Sequence, residues 1–121
     1  MQNFKRMALF LAGTALAITP YMVKAQTIKI GVSQPLTGAV AASGNYVVQG
    51  AKIAESFLND SGGLLGKQVE LIIEDNKSNP KEAVATAEKL IVRDKVQVMM
   101  GAWSSTYTLA VMPKLMEYGI P

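Results

Sequence analysis

The feature that most constrains this chain is a switch of hydrophobic period, from two residues to three or four, made three times in succession. Thr27-Ile-Lys-Ile-Gly-Val-Ser33 alternates about Ile28, Ile30 and Val32 and predicts a first strand. From about Gly44 the apolar residues recur as Val47, Val48, Ala51, Ala54 and Leu58, one face of a helix. That helix closes at Asn59-Asp-Ser-Gly-Gly63, where glycine can take the left-handed conformation. Gln68 to Asp75 predicts a second strand, β-branched and mostly apolar. Asn79-Pro80 opens a second helix, Asn as its cap and Pro where a missing N–H costs nothing. Ala83, Val84, Ala87, Leu90 and Ile91 supply its buried stripe. Lys95 to Gly101 predicts a third strand. A third helix starts near Ser104-Ser105 and runs to about Tyr118, interrupted or restarted at Pro113.

Strands separated by helices of this length imply βαβ crossovers and a parallel, Rossmann-like α/β sheet. Right-handed crossovers then give the strand order 2-1-3. Gly119-Ile-Pro121 reads as the lead-in to a fourth strand. A sheet ending after three strands would leave an apolar edge, so residues 26–121 read as the front part of a longer lobe.

Residues 1–25 have a different character. Lys5 and Arg6 precede the apolar run Met7 to Ile18, Pro20 interrupts the chain just beyond it, and Val23-Lys24-Ala25 offers a peptidase site. This is the layout of a secretory signal peptide cut after Ala25, and it places the mature protein outside the cytoplasm. The run is shorter than the ~20 apolar residues a membrane-spanning helix needs. No cysteine stands near the cut to carry a lipid.

The chain carries a formal charge of +3, but Lys5, Arg6 and Lys24 belong to the leader. Nine basic residues then face nine acidic ones. No basic stripe is left for a polyanion, which sets nucleic acid aside. The chain has no Cys and no His, so thiolate and imidazole metal sites are excluded, together with the commonest general base. No cofactor and no metal is expected. G-x-G-x-x-G and G-x-x-x-x-G-K-[ST] are both absent. So is G-x-S-x-G, and no histidine is present to activate Ser105, which argues against a serine hydrolase.

In open parallel sheets ligands sit beyond the carboxyl ends of the strands, where the strand order reverses. Two loops face that crevice: Gln34 to Gly44 and Gly101 to Thr106. The second places Ser104, Ser105 and Thr106 where a helix begins, so free backbone N–H groups and hydroxyls can receive a carboxylate. Trp103 adds a large apolar face. The alternative is that Ser104 or Ser105 only caps the helix and Trp103 only fills an interface. In the first loop, the glycines could let backbone approach a ligand, or the segment is an ordinary connection. Tyr107 reads as packing or as part of a lobe surface, Gly62, Gly63 and Gly66 as turn residues, and Glu74-Asp75 as a partner for the neighbouring loop.

Several motifs, in order, carry a resemblance. They are Ile30-Gly-Val-x-x-Pro-Leu-Thr-Gly38, Gly50-Ala51, Leu58-Asn-x-x-Gly-Gly-x-x-Gly66, Glu74-Asp-Asn-x-x-Asn-Pro80, the alanine-rich stretch Ala83 to Ile91, and Gly101-x-x-Ser-Ser105. From Ile28 to Pro121 the chain resembles the leucine/isoleucine/valine-binding type of ABC-transporter solute-binding protein, a type I periplasmic-binding fold. The resemblance implies two lobes closing by a hinge on a small molecule, amino acid or amide, and handing it to an ABC permease. It implies that Ser105 receives an α-carboxylate through hydroxyl and backbone N–H. Trp103 stands where aliphatic-amino-acid binders often carry a smaller apolar residue, and Ser43 where some carry an aromatic. Both departures fit a differently shaped ligand: an amide, a short-chain acid or an aromatic acid. The same fold also serves as the ligand-binding part of sensors, which is the rival expectation.

Overall fold

The computed structural model describes residues 26–121, so the leader reading lies outside the described residues. Six elements alternate: β1 (Ile28–Gln34), α1 (Ala41–Asp60), β2 (Val69–Asp75), α2 (Pro80–Val92), β3 (Val98–Met100) and α3 (Ser105–Tyr118). All pairing is parallel and the order is β2-β1-β3, as the crossover rule requires. β1 pairs with β2 along its whole length, Ile28 opposite Val69 through Gln34 opposite Asp75. Its pairing with β3 is shorter, from Ile30–Val98 to Val32–Met100.

The two faces of the sheet are covered differently. α2 and α3 pack together on one face, where Ala83, Ala87 and Val111 form one buried cluster and Leu90, Ile91 and Val96 another, bridged by Met99 and Leu115. Gly31 is what lets this layer close down. A Cβ there would stand 2.6 Å from the Met99 sulfur and 3.3 Å from a Leu90 methyl. α1 lies on the other face over β1 and β2. Beside it an apolar groove of about 390 Å³ runs between Ile30, Leu71 and Met100 of the sheet and Val47, Ala51 and Leu58 of the helix.

Three boundaries differ from those the periodicity predicts. α1 begins at Ala41, so Ser43, Gly44 and Asn45 stand in its first turns and not in the preceding loop. The reason is packing: the Gly44 backbone lies directly on Pro35, and a Cβ there would fall 2.1 Å from the Pro35 carbonyl oxygen. β3 is only three residues long, Lys95 having turned left-handed (φ 58°) before it. α3 continues through Pro113, since Val111 and Leu115 hold the turns on either side against α2. The Asn79 cap behaves as expected, its Oδ1 accepting from the Lys81 and Glu82 amides. Gly119 (φ 62°) closes α3, with the Ile120 amide returning to the Leu115 carbonyl. Beyond it, the Pro121 carbonyl accepts from Met99 N–H on the free edge of β3, at 2.8 Å.

Candidate ligand-binding site

The crevice at the carboxyl end of the sheet lies between the β1–α1 turn and the β3–α3 turn. Its floor is Gln34, the last residue of β1 and only 2% exposed. Its Nε2 donates to the Gly101 carbonyl at 2.6 Å and so ties the two strand ends together, while its Oε1 is buried without a partner. By sequence pattern Gln34 is only the start of a loop. The available signal was a polar residue closing an apolar strand.

The β1–α1 turn is stitched to the turn after β2. The Asp75 carboxylate accepts from the Leu36 amide (2.8 Å), the Thr37 amide (3.2 Å), the Thr37 hydroxyl (2.6 Å) and the Lys77 amide (2.7 Å). Partial burial pushes the Asp75 carboxyl up, but the Thr37 hydroxyl and the Lys77, Leu36 and Thr37 amides outweigh it and hold it below its ordinary 3.8. The Ser78 hydroxyl donates to the Thr37 carbonyl and accepts from the Val40 amide. Gly38 (φ 88°) has no room for a side chain, because its Cβ would meet the Lys77 carbonyl at 2.8 Å. Asn45 closes the turn from the helix side, its Nδ2 donating to the Leu36 and Ala41 carbonyls. The glycines expected to admit a ligand, Gly38 and Gly44, admit the chain's own backbone instead.

The β3–α3 turn is the opposite. Ser104 N–H donates to the Ala102 carbonyl at 2.9 Å, closing a γ-turn on Trp103, whose φ is 70°. A bulky residue in the left-handed region costs about 1–3 kcal/mol. The turn leaves the indole 47% exposed. Ser104 is the N-cap: its Oγ accepts from the Thr106 amide at 3.3 Å, and its carbonyl receives Tyr107 N–H, Thr108 N–H and the Thr108 hydroxyl. Ser105 comes first in the helix and is exposed, and neither its amide nor its hydroxyl has a partner among the described residues. The Thr106 hydroxyl is likewise exposed and without one. No acidic residue stands in the first turn of α3 to offset its positive end.

The residues expected at the site therefore separate. Trp103, Ser104, Ser105 and Thr106 occupy one turn, but the Ser104 hydroxyl is used internally, which leaves Ser105 and Thr106 as outward donors. Ser43 sits half-buried on the first turn of α1, and no hydrogen bond joins it to that group among the described residues. Tyr107 packs against Ala83, Ala87 and Val111, as expected of a packing residue. Among the described residues no group of three or more Asp or Glu could hold a metal ion. A hollow of about 460 Å³ lies along the outer face of α2 at Ala85, Glu88 and Arg93, away from the strand ends. A small hollow of about 40 Å³ lies between β3 and α3, at Met99, Ala102, Val111 and Leu115.

The periplasmic binding protein family matches residues 27–121. The chain belongs to that family. It is 39% identical over 100 residues to the leucine-, isoleucine-, valine-, threonine- and alanine-binding protein of Pseudomonas aeruginosa, covering 83% of this chain and 26% of that one. Among solved structures it is similar to the branched-chain amino acid transporter substrate-binding protein LivJ of Streptococcus pneumoniae in complex with isoleucine. There the TM-score is 0.77 at 35% identity, over 79% of this chain and 28% of that one. A solute-binding protein of an ABC transporter from Rhodopseudomonas palustris, in complex with 3,4-dihydroxybenzoic acid, gives a TM-score of 0.70 at 29% identity, over 78% of this chain and 26% of that one. The chain thus spans about a quarter of the length of the relatives it matches. The α/β sheet with order β2-β1-β3 is part of a type I periplasmic-binding lobe. The family is one of periplasmic solute-binding proteins, and the Rhodopseudomonas palustris relative is named as part of an ABC transporter.

Proposed function

We propose that this chain is part of the extracytoplasmic solute-binding component of an ABC importer, exported to the periplasm by the leader in residues 1–25. It takes a small carboxylate-bearing or amide ligand, an amino acid or a related acid, between two lobes and delivers it to a membrane permease. The ligand leaves chemically unchanged. The observation that carries this reading is the Ser105 amide and hydroxyl, unpartnered at the positive end of α3 and beside the half-exposed Trp103. A carboxylate set there accepts two charge-assisted bonds from one residue. The Thr106 hydroxyl is in reach of the same anion along the turn. The β1–α1 turn, locked by Asp75 and Ser78, forms the facing wall and carries Ser43 into the first turn of α1.

Ligand docks first on this lobe, and a second lobe then closes over it by a hinge, presenting a surface that the permease reads. The relatives named for branched-chain amino acids and for an aromatic acid support a carboxylate as the common chemical handle. Calorimetry on the full-length protein with Ser105→Ala tests the reading. A carboxylate ligand is expected to lose about 1.5–3 kcal/mol of binding free energy. Unchanged affinity removes Ser105 as the anchor and, with it, the reading of this turn as the ligand site.

A further inference from the structure

Trp103 is the only tryptophan of the chain, and it stands two residues before the outward donors of Ser105. We propose that the solute is a planar aryl carboxylate, its ring laid on the Trp103 indole and its carboxylate on the Ser105 amide and hydroxyl. This rests on the solute-binding reading above and adds the class of solute. Two residues of chain span at most ~7 Å, so whatever touches both groups must carry its apolar part directly beside its carboxylate. The indole is offered by the backbone itself. The γ-turn at φ 70° aims it out of the fold and leaves it 47% exposed, where a flat ring gains most by offset stacking.

On this lobe, two further observations favour an aryl acid over an aliphatic amino acid. An α-ammonium needs an anionic partner when it is desolvated. Every carboxylate of the described residues at this end of the sheet is already engaged: Asp75 by four donors, Glu74 by Lys89 and Glu82 by Lys77. Gln34 Oε1, by contrast, is a buried neutral acceptor at the root of the same turn with no donor to meet it. A ring hydroxyl supplies a neutral donor there, and a leucine or isoleucine side chain does not.

The test is calorimetry on the full-length protein, freed of bound ligand, with 4-hydroxybenzoate, cyclohexanecarboxylate and leucine as probes. The wild type is expected to bind 4-hydroxybenzoate about two- to twelvefold more tightly than either of the others, the gain that stacking supplies. Trp103→Leu is expected to erase that preference, and Trp103→Phe, which keeps a flat ring, to retain most of it. Leucine binding tightest in the wild type overturns the aryl assignment. So does Trp103→Leu weakening 4-hydroxybenzoate and cyclohexanecarboxylate alike. If leucine binding also falls with Ser105→Ala, the solute-binding reading survives the loss of the aryl one. Failure of all three probes to bind overturns the aryl assignment, and indifference of any bound carboxylate to Ser105→Ala overturns the anchor beneath it.

Discussion

The β1–α1 turn spends its polar groups on its own neighbours, whereas the β3–α3 turn, on the other side of the same crevice, leaves Ser105 and Thr106 outward and unpartnered. In the first, a single carboxylate gathers four donors, a glycine admits a neighbouring carbonyl, and Asn45 and Ser78 close what remains. In the second, of the Ser104, Ser105 and Thr106 hydroxyls only that of Ser104 is used internally, and the backbone accepts a strained turn to hold Trp103 outward. One turn is a wall, and the other is the receptor surface in the proposed function. Unmet donors concentrate on the β3–α3 turn, whereas left-handed backbone occurs on both sides, at Trp103 on one and at Lys77 and Ser78 beside the other.

The comparison breaks most sharply at Gly44. Gly44→Ala sets a Cβ 2.1 Å from the Pro35 carbonyl, and about 2–3 kcal/mol of stability is expected to be lost in denaturant titrations of the full-length protein. Gly50→Ala, on the same helix with nothing within 4 Å, is expected to gain about 0.5–1 kcal/mol. If both substitutions behave alike, the wall is not held by that contact.

Asp75→Ala removes the acceptor of four hydrogen bonds and is expected to cost about 2 kcal/mol. The carboxyl is held below its ordinary value in the folded protein, so its stabilisation is present above the unfolded value and lost as pH falls through the folded one. The urea midpoint is therefore expected to drop as pH falls below the carboxyl's ordinary 3.8, and the gap between wild type and Asp75→Asn to narrow over the same range. A gap that is constant with pH would mean that the carboxylate charge plays no part.

Smaller effects separate the two serines. Ser104→Ala removes the helix cap and is expected to lower stability by about 1 kcal/mol. Ser105→Ala, at an exposed hydroxyl without partners, is expected to change stability by less than about 0.5 kcal/mol. A large stability loss at Ser105 would make it part of the scaffold, and the contrast between the two turns would fail.

Much of this was legible in the chain itself. Alternation about Ile28, Ile30 and Val32, and the three-and-four spacing of Val47, Ala51 and Leu58, are local signals, because period follows from strand and helix geometry alone. The Asn79-Pro80 start and the Gly119 stop are local in the same way, and handedness then orders the strands. What local chemistry could not decide was anything set by a second segment arriving from elsewhere. Gly44 read as a loop glycine because the Pro35 carbonyl beneath it is invisible to periodicity. Ser104 and Ser105 are equivalent as residue types, and only the dihedral angles of the turn make one a cap and the other a free donor. Gln34 looked like the start of a loop until β3 supplied the Gly101 carbonyl that binds its amide. Sequence determined which elements form and in what order, since those follow from short-range sterics and hydrophobic period. Tertiary structure decided which polar groups are consumed and which stay unpartnered, since that depends on the dihedral angles of one turn and on distances between residues some 40 to 70 positions apart.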